Sequence, residues 1–228
     1  MSSGFFGFFA HAGVLTALEE RALAPSHVCG SSAGALVAGL WASGLPTADI
    51  VDGLLRLERS QFWDPSPGLG LLRGRKFRAL LDSVLPVSSF AATRVPLAIS
   101  VFDVLAREVR VLRTGELAPA IQASCAMPVL FQPVWIAGRP YIDGGVTDRP
   151  GIAGLPAHGR ALYHHLSSKS PWRVTVPKPT ASARMHVLEI AAMPRVGPFT
   201  LPRGRDAFEH ARDHARRLLD DAHAHASS

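Results

Sequence analysis

The sequence predicts a layered α/β domain on a largely parallel sheet. Runs with helical spacing alternate with short β-rich runs along the chain. The balance of 47% hydrophobic to 18% charged residues is that of an ordinary globular chain. No internal repeat or linker interrupts the pattern, so one domain over residues 1–228 is expected. A chain of this length buries enough surface to dispense with disulfides and structural metals.

Taken in order, residues 12–24 carry Val14, Leu15, Leu18 and Leu23 at near-helical spacing, and Pro25 closes the run. Residues 26–30 read as a short strand. Residues 33–43 are a small-residue helix with Gly44 at the position of a C-terminal cap. Residues 47–59 form an amphipathic helix, with Thr47 as its N-cap and Ile50, Val51, Leu54 and Leu55 turned inward. Between Trp63 and Gly74 prolines and glycines break any period, which predicts a loop lining an entrance. Two β-rich runs, 95–104 and 108–112, stand a hairpin apart, and 117–126 reads as a helix. Strands at 134–136 and 140–142 join through Ala137-Gly138 and lead into Asp143-Gly144-Gly145. A polar, proline-rich tract then runs to Thr180, followed by a buried strand at 185–190 and a charged helix at 205–223.

Composition narrows the classes of function. Cys29 and Cys125 belong to no Cys-x-x-Cys pair and no disulfide framework, so both are expected to be reduced packing residues. The apolar N-terminus has no Lys or Arg before Arg21, and His11 and three glycines interrupt it, unlike a secretory leader. No run approaches the roughly 18–20 apolar residues that cross a bilayer. A soluble, cytoplasmic protein is expected. The formal charge of +6 favours contact with an anionic membrane, but the arginines are scattered, and no nucleic-acid partner is expected.

Two motifs carry chemistry. Gly30-Ser31-Ser32-Ala33-Gly34 fits the Gly-x-Ser-x-Gly elbow, in which a serine sits on a strained strand-to-helix turn and small neighbours let the backbone double back. The helix that follows places free N–H groups and partial positive charge beside the serine. A serine needs a base. Of ten histidines, His164, His165 and His186 lie downstream of Asp143, in the chain order of a Ser-Asp-His hydrolase, but none has a local signature. His210, His214, His223 and His225 recur on the terminal helix without a third ligand, so no metal is expected. Asp143, at a strand end before two glycines, is itself able to accept a proton if burial raises its pKa.

Taken together, the glycine-containing N-terminal loop, Gly-Ser-Ser-Ala-Gly and Asp-Gly-Gly-Val resemble the patatin-like phospholipase family. Ala12-Gly13-Val14-Leu15, Gly34-Ala35-Leu36 and the stretch Ala123-Ser124-Cys125-Ala126-Met127-Pro128-Val129-Leu130-Phe131 agree with it. The resemblance covers residues 4–150. It implies a three-layer α/β/α fold and a Ser-Asp dyad acting on phospholipid or other lipid esters through an acyl-enzyme, with no cofactor. By that match Ser32 is the nucleophile and Asp143 the base, flanked by Gly30 and Gly34 in the elbow and by Gly144 and Gly145.

The family's oxyanion loop, Gly-Gly-Gly-x-x-Gly, corresponds to Ser2-Ser3-Gly4-Phe5-Phe6-Gly7, which makes Ser3, Gly4, Phe5 and Gly7 the candidates for that role. Pocket walls are expected from Phe5, Phe6, Trp63 and residues 69–72. The family begins with a hydrophobic strand, whereas only Met1, Ser2 and Ser3 precede Gly4 here. That predicts an unpaired sheet edge beside the serine and an unsupported loop. The rival readings are a Ser-His-Asp esterase and a catalytically impaired lipid-binding or scaffolding domain.

Overall fold

The computed structural model describes residues 1–166 and 179–226, with side chains through residue 221. Helix α1 spans Phe8–Glu19 and begins four residues ahead of the sequence period. Phe8, Phe9, Ala10 and His11 are all buried, so the first turn is covered on every side and shows no amphipathic onset. It stops at Glu19 rather than at Pro25: Ala22 takes a left-handed conformation at φ +54°, and the Leu23 N–H returns to the Leu18 carbonyl.

Strand β1 (Val28–Ser31) delivers the chain to α2 (Ala33–Ala42), every residue of which is buried. Gly44, at φ +100°, ends it as expected. Helix α3 (Thr47–Leu55) takes Pro46 as its cap, and Thr47 is its buried first residue. The expected loop between Trp63 and Gly74 holds a short strand, β2 (Gly70–Leu72), and α4 (Arg75–Val84) follows. Helix α4 had no counterpart in the sequence reading. Strands β3 (Leu97–Asp103) and β4 (Glu108–Leu112), helix α5 (Leu117–Ser124), and strands β5 (Val129–Phe131), β6 (Val134–Ile136) and β7 (Arg139–Asp143) lie close to their expected positions, β5 apart. Strand β8 (Ala161–His165) emerges from the proline-rich tract, whose residues 167–178 lie outside those described. Strand β9 (Met185–Glu189) and helix α6 (Gly204–Ala226) close the chain.

The class is α/β, and the sheet is mixed in direction. Parallel pairing joins β1 to β3, β2 to β5 and β8 to β9. Strand β4 joins β3 and β6 joins β7 antiparallel, because their short connections leave no room for a crossover, and β7 also joins β3 antiparallel. Strand β4 occupies one edge of β3, while β1 and β7 share the other. Strand β1 pairs with the first half of β3 up to Ser31 opposite Ser100, and β7 arrives from the opposite direction and ends with Asp143 opposite Val101. The C-terminal ends of β1 and β7 therefore meet head-on.

Helices α2 and α5 cover one face of this sheet, packing on Leu97, Ile99 and Val101. On the other face Gly154 lies against Ala98 and Cys29, and the Asp148 carboxylate accepts bonds from Ser100 Oγ and from the N–H groups of Gly151, Ile152 and Ala153. Helix α1 is packed between α6 on one side and α2 and α3 on the other.

The expected bare edge beside the serine is absent. The Met1 nitrogen donates to the Cys29 carbonyl and the Ser31 N–H to the Met1 carbonyl, so Met1 pairs with β1. On the far side the Ser2 N–H donates to the His164 carbonyl of β8. Met1 and Ser2 thus bridge β1 to the β8–β9 pair, because backbone pairing needs only the few groups that face each edge.

Candidate active site

Ser32 sits between β1 and α2 at φ +54° and ψ −120°, a conformation that few non-glycine residues adopt and that turns its side chain out of the bend. The tightness of the turn explains the glycines around it. A Cβ on Gly30 would collide with the backbone of Gly34, and one on Gly34 would collide with the Met1 carbonyl. The turn is fastened from α5, where Ser124 Oγ accepts the Ser32 N–H at 2.9 Å and donates to the Ser100 carbonyl at 2.7 Å. Cys125 Sγ lies 3.3 Å from the Ser32 carbonyl, and burial holds its thiol well above the usual range. Ser124 and Cys125 are contacts that the sequence motifs contained without revealing their task.

Because β1 and β7 end face to face, Ser32 Oγ donates to Asp143 Oδ2 at 2.6 Å. The other oxygen, Oδ1, accepts the Gly145 N–H at 2.7 Å, which fixes the carboxylate plane. Gly144 and Gly145 lack side chains because there is no space: a Cβ on the first would strike the Ser100 carbonyl, and one on the second Ser3 Oγ. Asp143 is only 6% exposed. Burial pushes its carboxyl up to about 6, against the hydrogen bonds from Ser32 and Gly145, which pull it down. Such a group is ionised at neutral pH and still basic enough to take a proton from a serine under attack.

The N-terminal loop shares this cavity but does not offer all its amides. The Ser3 N–H donates to the Arg149 carbonyl and the Gly7 N–H to the Gly4 carbonyl, so both are occupied. The N–H groups of Gly4 and Phe5 meet no acceptor among the described residues. Gly4 and Gly7 pack directly under Leu166, where a side chain would clash.

Behind the loop, His11 Nε2 donates to the Ser2 carbonyl at 2.8 Å, and His164 Nδ1 donates to His11 Nδ1 at 2.8 Å. That direction follows from the carbonyl, which can only accept. Neither histidine reaches Ser32. His165 pairs with the Tyr163 hydroxyl, and His186 is exposed on β9, so no described histidine bonds to the serine or the aspartate. His210 bonds to the Ala191 carbonyl, and the side chains of His223 and His225 lie outside the described residues.

The cavity that opens from Ser32 and Asp143 holds about 1020 Å³. Its walls are overwhelmingly apolar, with Phe5, Phe6, Leu36, Leu54, Phe77 and Phe131 among them. Of the expected wall residues Leu71 lines it too, whereas Trp63 packs edge-to-face with Phe199 and Leu69 faces outward. Such a space favours an apolar ligand over a charged one. No described helix is long and apolar enough to cross a membrane.

Comparison with known proteins gives concordant results. Residues 1–155 match the family described as patatin-like phospholipase. Curated relatives include uncharacterized NTE family proteins of Mycobacterium bovis and Mycobacterium tuberculosis, 34% identical over 189 residues. That alignment takes in 79% of this chain and 52% of theirs, so the chain spans about half the length of the curated relatives it matches. Among solved structures, VipD from Legionella pneumophila superposes with a TM-score of 0.69 at 16% identity, over 96% of this chain and 66% of that one.

Proposed function

Because this chain belongs to the patatin-like phospholipase family, we propose that it hydrolyses acyl esters of lipids with Ser32 as nucleophile and Asp143 as general base. The observation that carries the proposal is the 2.6 Å contact between Ser32 Oγ and Asp143 Oδ2 at the head of an apolar cavity. Ser32 Oγ attacks the ester carbonyl while its proton passes to Asp143 Oδ2. The oxyanion forms beside the N–H groups of Gly4 and Phe5 and the positive end of α2. Collapse releases the alcohol, which takes the proton from Asp143, and leaves an acyl-Ser32. Water then gives a proton to Asp143 and attacks the acyl group, and the carboxylic acid departs as Ser32 recovers its proton. Each half-reaction balances without a cofactor.

A lipid-ester panel assayed on the purified protein, alongside labelling by a serine-directed fluorophosphonate, tests this reading. Turnover and label are expected in the native chain, and neither in Ser32→Ala. Hydrolysis surviving in Ser32→Ala would refute it.

A further inference from the structure

The mouth of the cavity carries a surface that neither fold nor catalysis explains. Strands β2 and β5 form a two-stranded parallel lip there, whose Leu71 and Val129 also line the cavity. Leu69 is 85% exposed, Val129 78% and Leu71 50%. Val129 also holds φ +71°, a costly conformation for a β-branched residue. Leaving three aliphatic side chains in water at one rim has no folding benefit.

The charge beside the lip is equally one-sided. Residues 69, 71 and 73 alternate outward, so Arg73 shares the exposed face of Leu69 and Leu71. Arg75, Lys76 and Arg78 follow in the opening turn of α4, which contains no acidic residue. Cations at a helix N-terminus oppose its macrodipole, so their placement there does not serve the helix itself. Residues 65–81 contain these four cations and no Asp or Glu. The nearby Asp64 turns its carboxylate to the N–H groups of Gly74 and Lys76, and Arg78 pairs with Asp82 and Glu116.

We propose that the β2–β5 lip and the N-terminus of α4 dock this protein on an anionic phospholipid bilayer, with Leu69, Leu71 and Val129 entering the acyl region and Arg73 and Arg75 among the headgroup phosphates. The complementarity of a cationic collar around aliphatic side chains selects a membrane over a second protein copy. The placement sets the cavity mouth against the surface that presents the substrate. The inference rests on the proposed lipid hydrolysis for its purpose, but its test does not.

The test uses the full chain carrying Ser32→Ala, so that lipid is not consumed, sedimented with vesicles of phosphatidylcholine alone or mixed with phosphatidylglycerol. Binding is expected to the mixed vesicles and to weaken as salt rises. Leu69→Asp, and separately Arg73→Glu with Arg75→Glu, are expected to lower the partition coefficient about tenfold or more. The glutamates suit the N-terminus of α4, so that variant is expected to fold. Arg203→Glu with Arg205→Glu makes the same change in net charge elsewhere and is expected to bind as before. An equal loss in that control, no binding of the parent chain, or removal of a dimer by Leu69→Asp would each overturn the proposal. Leu69→Asp with Ser32 intact is expected to hydrolyse a short soluble ester at the native rate. Failure of the native chain on that ester would count against the catalytic reading and leave the docking result standing.

Discussion

At the residue scale, Asp143 trades stability for basicity. Its folded pKa of about 6 stands above its ordinary value of 3.8, so the folded state prefers the proton. The penalty is absent below the ordinary value and grows as pH rises through about 6, reaching as much as about 3 kcal/mol at neutral pH. Asp143→Asn is therefore expected to raise the denaturant midpoint, by about 1–3 kcal/mol in stability, while abolishing turnover. A midpoint at or below that of the native chain would contradict the burial argument. If Asp143 is the base, it must be ionised to act, so kcat/KM is expected to rise with pH and level off above about 6. Gly144→Ala is a sharper probe of position. Its new methyl group would strike the Ser100 carbonyl, and displacing Asp143 by a fraction of an ångström is expected to cost about a hundredfold in kcat, read against an unchanged circular dichroism spectrum.

At the scale of elements, the N-terminal loop is held by its neighbours rather than by its own composition. Met1 and Ser2 are pinned between β1 and β8, Ser3 is held by the Arg149 carbonyl, and His11 in α1 reaches the Ser2 carbonyl with His164 behind it. His11→Ala leaves that buried carbonyl without a donor, and a loss of about 1–3 kcal/mol in stability is expected from urea unfolding. If Gly4 and Phe5 stabilise the oxyanion, the same variant lowers kcat with little change in KM. Burial lowers His11 to about 3, and it holds His164 well below its usual value. Below about pH 6.5 the unfolded chain takes up protons that the folded chain refuses, so stability declines with acidification. Between pH 6.5 and 5 His11 alone accounts for about 2 kcal/mol. Measuring in the Asp143→Asn background removes the opposite contribution of that carboxylate, and a flat profile there would show that the pair is not buried neutral.

At the scale of the whole molecule, the long helix α6 completes the core through its seam with α1. Gly13 lies against the Phe208 carbonyl, so Gly13→Val is expected to separate the helices and lower stability by about 2 kcal/mol or more, measured as a fall in thermal midpoint. The exposed pairs Arg21 with Asp220 and Arg216 with Glu20 cross the same seam and contribute little beside it. The sequence by itself determined the α/β class, the family and the elbow around Ser32, because turn chemistry and apolar period are local. Both leave a mark within a few residues. It lost the onset of α1, where burial on every side erases the period, and β8, which is masked by the prolines around it. The family resemblance already pointed to Asp143, and only the tertiary structure shows what brings its carboxylate to the serine. Ser32 and Asp143 are 111 residues apart, and they meet because β1 and β7 reach the same edge of β3 from opposite directions. The tertiary structure also decided which loop amides are occupied and that two residues suffice to bridge two strands, since a hydrogen bond between distant segments depends on pairing register, which no local pattern records.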